Sequence, residues 1–165
     1  MGAELDYLRD GAEIYRRSFQ TIRAEANLDG LEPVLARTAV RMIHACGMVD
    51  LVADLEASPG FGDVATAALR GGAPVLCDTQ MVASGITRSR LPAANQVLCT
   101  LQDPRVGELA GQLATTRTAA ALQLWGEHLM GALVVIGNAP TALFRLLELL
   151  SEGAPRPAAV IGVPV

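Results

Sequence analysis

The sequence contains no lysine: all 13 basic residues are arginine, set against 17 acidic residues, and the formal net charge is −4 at pH 7. Aromatic residues are also scarce, with one Trp, two Tyr and three Phe. A nucleic-acid surface needs a basic tract that releases counterions and aromatic rings that stack on bases, so this composition predicts no nucleic-acid partner. Arginine suits the carboxylate or phosphate groups of a ligand, although a compositional bias of the source genome explains the same pattern.

Long apolar runs and a secretion signal are absent as well. No apolar run approaches the roughly 18 residues that span a bilayer, which predicts no membrane partner. Charges begin at Glu4 with no apolar core and cleavage site behind them, which predicts a cytoplasmic protein. The three cysteines, Cys46, Cys77 and Cys99, include no C-x-x-C pair. Their apolar contexts favour reduced core thiols over a disulfide framework or a metal site.

Short apolar runs alternate with helical patterns along the rest of the chain. The runs predict strands at Ala73–Cys77, Val97–Leu101, Ala132–Ile136 and Ala158–Val163. Such alternation is typical of parallel β-α-β units, so we expect one α/β domain over residues 1–165, with three layers and a mostly parallel central sheet flanked by helices. Ligands of such sheets bind beyond the carboxyl ends of the strands, which places functional residues just after Leu76, Ile136 and Ile161.

Helical spacing predicts five helical segments. A stripe from Leu8 to Ala26 gives the first, and the second runs from about Leu31 to Gly47 with Leu31, Leu35, Met42 and Cys46 buried. The others are expected at Asp63–Arg70, from Pro104 to about Met130, and at Pro140–Ser151.

His44 falls on the face of the second helix opposite to the predicted buried residues Leu31, Leu35 and Met42. Arg37 and Arg41 lie on the same face as His44. Two interpretations stay open: a proton donor or acceptor that serves an anionic ligand, and an incidental histidine on a solvated face near a helix C-terminus.

Two loops at predicted strand ends carry polar residues. Gly137 and Asn138 form a tight turn before a helix whose first residue is Pro140, and free amides at such a helix start could bind an anion, although an unliganded β-to-α turn would have the same sequence. The turn matches neither G-x-G-x-x-G nor G-K-[ST]. The 13-residue segment from Asp78 to Arg90 exceeds the usual connection of about 2 to 6 residues, which favours a functional loop.

Six segments, taken in order, resemble the precorrin-8X methylmutase family across nearly the whole chain. They are YRRSF from Tyr15, IHACG from Ile43, GAPVLCDTQMVASGI from Gly72, TTRTAAA from Thr115, IGNAPTALF from Ile136 and IGVPV from Ile161. The resemblance implies an α/β enzyme of cobalamin biosynthesis that moves a methyl group from carbon 11 to carbon 12 of a corrinoid, giving hydrogenobyrinate. It also implies a cytosolic homodimer that needs no cofactor or metal, with possible hand-over of its product to the next enzyme.

The resemblance carries site residues with it. The catalytic histidine of the family falls on His44, as proton donor or acceptor, and a substrate-contacting position falls on Ser18. The further substrate-binding residues expected are Tyr15, Ser84, Thr87, Arg88, Arg117, Asn138 and Thr141. Family members continue beyond IGVPV, so we expect the natural chain to be longer than these 165 residues.

Three other functions remain open from the sequence. A non-catalytic corrinoid-binding or product-channelling protein would use the same residues but would tolerate the loss of His44. A cobalt-precorrin-8 methylmutase would carry out the same migration on a substrate that already holds cobalt. A nucleotide-binding α/β enzyme would instead bind nucleotide at Gly137–Thr141.

Overall fold

The computed structural model describes residues 5–164, and the chain divides into two compact units at Gly62 and Asp63. The first unit holds helices α1 (Gly11–Glu25) and α2 (Pro33–Cys46) and a 3-10 helix at Val49–Asp54. The Asp10 carboxylate caps α1 by accepting the Ala12 N–H at 2.9 Å. At the end of α2, Gly47 adopts φ +74°, the left-handed conformation that favours glycine, and its N–H donates to the Ile43 carbonyl.

Helices α1 and α2 pack around Ile22, Val40 and Ile43, which are buried. The prediction of the buried residues of the second helix is therefore wrong. Leu31, Leu35 and Met42 are only half-buried, and Cys46 is exposed. Ten of the 14 residues of this helix are apolar, so the spacing alone did not identify the packed face.

The second unit is an α/β layer structure that begins with α3 (Phe61–Arg70) at the boundary. Its strands are β1 (Val75–Cys77), β2 (Val97–Leu98), β3 (Leu133–Ile136) and β4 (Ala159–Gly162). Its further α-helices are α4 (Gln80–Gly85), α5 (Val106–Gln112), α6 (Arg117–Ala121) and α7 (Pro140–Ser151). Its 3-10 turns lie at Arg88–Arg90, Leu122–Leu124 and Gly126–Leu129.

All four strands are parallel and lie in the order β2-β1-β3-β4. Val75 pairs with Val97 on one side and with Leu133 on the other, so β1 and β3 are the central pair. This confirms the predicted α/β class with a parallel sheet flanked by helices. Connections leave β1 and β3 in opposite directions across the sheet, which makes the gap between their carboxyl ends the topological switch point.

Two predicted segments differ from the observed ones. The helix expected from Pro104 to Met130 is broken into α5, α6 and two 3-10 turns, with Ala114 at φ +48° after α5 and a new start at Thr116, whose hydroxyl caps α6. The segment from Asp78 to Arg90 is not an open loop, because it forms α4 and a 3-10 turn. Within residues 5–164, no helix combines the length and the hydropathy needed to cross a membrane.

Candidate active site

Ser18 and His44 form the central contact of the first unit. A hydrogen bond of 2.7 Å joins Ser18 Oγ on α1 to His44 Nδ1 on α2, and both side chains are half-buried. The bond links residues 26 positions apart, so it fixes the imidazole relative to a second helix. Only one tautomer leaves Nδ1 free to accept from the serine hydroxyl, and the other donates to it. In either case the serine occupies Nδ1 and restricts the orientation of the ring, so Nε2 is the nitrogen left for a ligand.

Aromatic side chains of α1 surround the imidazole. The Tyr15 ring lies 4.9 Å from the His44 ring between centroids and is tilted by 33°, while the Phe19 ring meets it edge-on at 5.2 Å and 83°. Tyr15 and Phe19 also contact each other edge-on at 5.8 Å. Tyr15 remains 54% exposed, so its ring lies beside the histidine at the protein surface and is not part of the core. The structure therefore brings together three predicted site residues, Tyr15, Ser18 and His44.

Arginines on the same two helices differ in what they contact. Arg16 and Arg17 both bind the Glu13 carboxylate, at 2.7 and 2.6 Å, and these bonds lower the pKa of Glu13 from 4.5 to about 2. The guanidiniums of Arg23 and Arg41 instead lie over the Phe19 ring, at 5.7 and 5.6 Å from its centroid. Arg16 and Arg17 are thus paired with a carboxylate, whereas Arg23 and Arg41 contact an aromatic ring of the histidine cluster.

The switch point of the sheet holds a buried carboxylate. Asp78, directly after β1, is 1% exposed and accepts three backbone N–H groups from the turn after β3: Gly137 at 3.2 Å, Asn138 at 3.0 Å and Ala139 at 2.8 Å. Gly137 fits this turn because a Cβ there would lie 2.8 Å from Val82 Cγ2. Of the two interpretations of this turn, the anion-binding one is excluded for these three amides, because the Asp78 side chain already accepts them.

The other predicted site residues lie in the second unit and are exposed. Ser84 lies in α4, Thr87 and Arg88 follow it, Arg117 opens α6, and Asn138 and Thr141 flank Pro140 at the start of α7. Thr141 Oγ1 is 2.8 Å from Thr116 Oγ1, which links the first turns of α6 and α7. The residues expected at the site did not include Phe19, Asp78 or Thr116, although all three stand inside the matching segments YRRSF, GAPVLCDTQMVASGI and TTRTAAA.

The three cysteines differ in burial. Cys46 is exposed, Cys99 is half-buried and Cys77 is buried, so the prediction of core thiols is wrong for Cys46. Burial raises the pKa of the Cys77 thiol to about 12. Among the described residues, no group of three or more His, Cys, Asp and Glu side chains is placed to hold a metal ion.

Comparisons with known proteins agree with this arrangement. The family model described as precorrin-8X methylmutase matches residues 13–165. The chain is 62% identical to "Precorrin-8X methylmutase" of Pseudomonas aeruginosa and 58% identical to that of Sinorhizobium sp., in both cases over 98% of this chain and 77% of the relative. It is 36% identical to "Cobalt-precorrin-8 methylmutase" of Methanothermobacter thermautotrophicus, over 94% of this chain and 73% of the relative.

A solved structure shares the fold. The precorrin-8X methylmutase structure from Thermus thermophilus superposes with a TM-score of 0.82 at 38% identity, over 94% of this chain and 75% of that one. The resemblance expected from the six segments is thereby confirmed. The chain belongs to the precorrin-8X methylmutase family.

Proposed function

We propose that this chain is an isomerase that converts precorrin-8X to hydrogenobyrinate by moving a methyl group from carbon 11 to carbon 12. The observation that carries the proposal is the His44 cluster: an imidazole held by Ser18 at 2.7 Å and walled by Tyr15, in a chain of this family. The metal-free substrate is favoured because two relatives at 62% and 58% identity are named precorrin-8X methylmutase, whereas five relatives named cobalt-precorrin-8 methylmutase are 30% to 36% identical.

The reaction requires the protein to hold the macrocycle in position and to supply one proton or hydrogen bond to a ring nitrogen. The bond from the methyl carbon to carbon 11 breaks as the bond to carbon 12 forms, the ring double bonds rearrange, and nothing is oxidised or reduced. Protonation or hydrogen bonding at a ring nitrogen polarises the conjugated system, and the proton returns when the product forms. His44 is the side chain that supplies this proton in the proposal, and general acid catalysis of this kind contributes about 10² to 10⁴ in rate.

Ser18 orients the imidazole, and Tyr15 offers an aromatic surface to the flat macrocycle. Ser84, Thr87, Arg88, Arg117, Asn138 and Thr141 remain proposals as substrate contacts. Their exposed hydroxyl, amide and guanidinium groups suit the carboxylate side chains that a corrinoid carries. Arg117→Ala should weaken corrinoid binding if its guanidinium holds one of those carboxylates, and an unchanged affinity would remove it from the site.

The test is conversion of precorrin-8X labelled with carbon-13 in the methyl group at carbon 11. The proposal expects the label to appear at carbon 12, seen by NMR, at a rate proportional to enzyme concentration. Tight binding of hydrogenobyrinate without any conversion would favour the carrier or channelling function instead. Faster conversion of cobalt-precorrin-8 would assign the chain to the cobalt-containing substrate.

Nucleotide binding is the least favoured alternative. A nucleotide phosphate at the turn after β3 would need the amides of Gly137, Asn138 and Ala139, and Asp78 already accepts all three. Millimolar ATP or NAD should therefore leave the melting temperature unchanged. A rise with either nucleotide would contradict this reasoning.

We further propose that the chain folds as one cooperative domain, acts as a cytoplasmic homodimer and passes its product to the next enzyme. Phe144 and Leu147 support a dimer contact, because these apolar side chains lie one turn apart on α7 and are 67% and 56% exposed. Light scattering should give twice the chain mass for the wild type and the chain mass for Phe144→Glu. A monomeric wild type would overturn the dimer.

A further inference from the structure

Two arginines beside His44 have no role in the proposed proton chemistry. Arg23 lies four residues after Phe19 on α1, and Arg41 lies three residues before His44 on α2, so each shares a helix face with a member of the cluster. Their guanidinium carbons are 5.7 and 5.6 Å from the centroid of the same Phe19 ring, which also contacts the His44 imidazole and the Tyr15 ring edge-on. Two cations and the candidate acid-base group thus contact a single side chain.

Arg23 and Arg41 make different contacts from Arg16 and Arg17. Within residues 5–164, no Asp or Glu forms an ion pair with Arg23 or Arg41, and the polar contact of Arg23 is a 3.4 Å bond to the Phe19 carbonyl. Arg16 and Arg17, on the same helix as Arg23, are both bound to Glu13. Arg23 and Arg41 therefore place positive charge next to the Phe19 ring that contacts His44, and both arginines are exposed to solvent.

A guanidinium next to an aromatic ring gains a cation–π attraction that favours this position of its side chain. The guanidinium still carries N–H donors that match the two oxygens of a carboxylate. Because the arrangement is held before a ligand arrives, less side-chain entropy is lost on binding. A hydrogen-bonding edge of this kind, next to the group that protonates the macrocycle, suits a ligand that carries acids on the rim of a ring.

We propose that Arg41, with Arg23 beside it, forms a carboxylate-binding subsite for an acid side chain of the corrinoid. The inference rests on the proposed function and adds to it the group that fixes the macrocycle relative to His44. In this arrangement the carboxylate accepts N–H bonds from the Arg41 guanidinium, and the ring nitrogens of the macrocycle are brought toward Nε2 of His44.

The test compares arginine variants by titration with hydrogenobyrinate, followed by visible absorbance. Arg41→Gln should raise the Kd by roughly 10- to 100-fold, since a bond to a charged group is lost. Arg16→Gln removes an equally exposed arginine that is occupied by Glu13, and it should change the Kd less than twofold. Arg41→Lys keeps the charge but loses the planar edge, so its Kd should lie between those of the wild type and Arg41→Gln.

A second ligand identifies the group that is bound. Hydrogenobyrinate with its carboxylates esterified should bind the wild type more weakly and should not distinguish Arg41→Gln from it. Equal Kd values for the acid in Arg41→Gln and Arg16→Gln would overturn the subsite while leaving the proposed function intact. No binding of hydrogenobyrinate by the wild type would overturn the proposed function and this inference with it.

Discussion

Replacing Asp78 with alanine should be among the most damaging single changes to the second unit. The carboxylate is buried and accepts three N–H bonds of 3.2, 3.0 and 2.8 Å that join the end of β1 to the turn before α7. Bonds to a charged acceptor contribute about 1.5 to 3 kcal/mol each, so the sum of three is an upper bound. Water can reach the exposed Asn138 and half-buried Gly137 once the carboxylate is gone, whereas Ala139 is buried.

We therefore expect Asp78→Ala to lower the free energy of unfolding by about 3 to 5 kcal/mol, a large part of the usual 5 to 15 kcal/mol. Asp78→Asn keeps one acceptor oxygen but places an amide N–H₂ against donors, so its loss should be smaller. Urea unfolding followed by far-UV circular dichroism measures both, with Asp103→Asn as the matched control, because Asp103 pairs with Arg105 at the surface. An Asp78→Ala protein as stable as the control would refute the reasoning.

Two further outcomes follow from the ionisable side chains of the described residues. Among the cysteines, only the exposed Cys46 should react quickly with a thiol reagent in the native protein. Burial raises the pKa of the Cys77 thiol to about 12 and also raises the pKa of the Cys99 thiol. Fast labelling that persists in Cys46→Ser would contradict this expectation. The Glu13 carboxyl, whose pKa is lowered from 4.5 to about 2 by the Arg16 and then the Arg17 bond, stabilises the fold fully above pH 4.5 and loses that effect as the pH falls through about 2. The stability difference between wild type and Glu13→Gln should therefore shrink in acid, and a difference that stays constant would contradict the pairing.

Local signals predicted much of the sheet and some of the helices. The expected bounds of α7, Pro140–Ser151, match the observed ones, because Pro140 is suited to the first turn and the apolar positions after it repeat with helical spacing. The four strands were placed within a few residues, since buried parallel strands are continuous apolar runs bounded by polar turns.

Features that depend on distant pairing were not predictable in the same way. The bond of Asp78 to residues 137–139 requires that β1 and β3 be neighbours, and nothing near Asp78 in the sequence specifies that order. The packed face of α2 was misjudged because its sequence is apolar on most sides. His44 was ambiguous by spacing and was singled out by the family resemblance, while its bond to Ser18 became visible only in the structure.

The most direct test of the central claim is the turnover of precorrin-8X by His44→Ala, measured beside its affinity for hydrogenobyrinate. The account predicts a loss of turnover of about 10² to 10⁴, with the Kd and the circular dichroism spectrum close to those of the wild type. Ser18→Ala removes the hydrogen bond to the imidazole but keeps the imidazole itself. Its turnover should lie between that of the wild type and that of His44→Ala. Turnover by His44→Ala at the wild-type rate would contradict the assignment of proton transfer to His44.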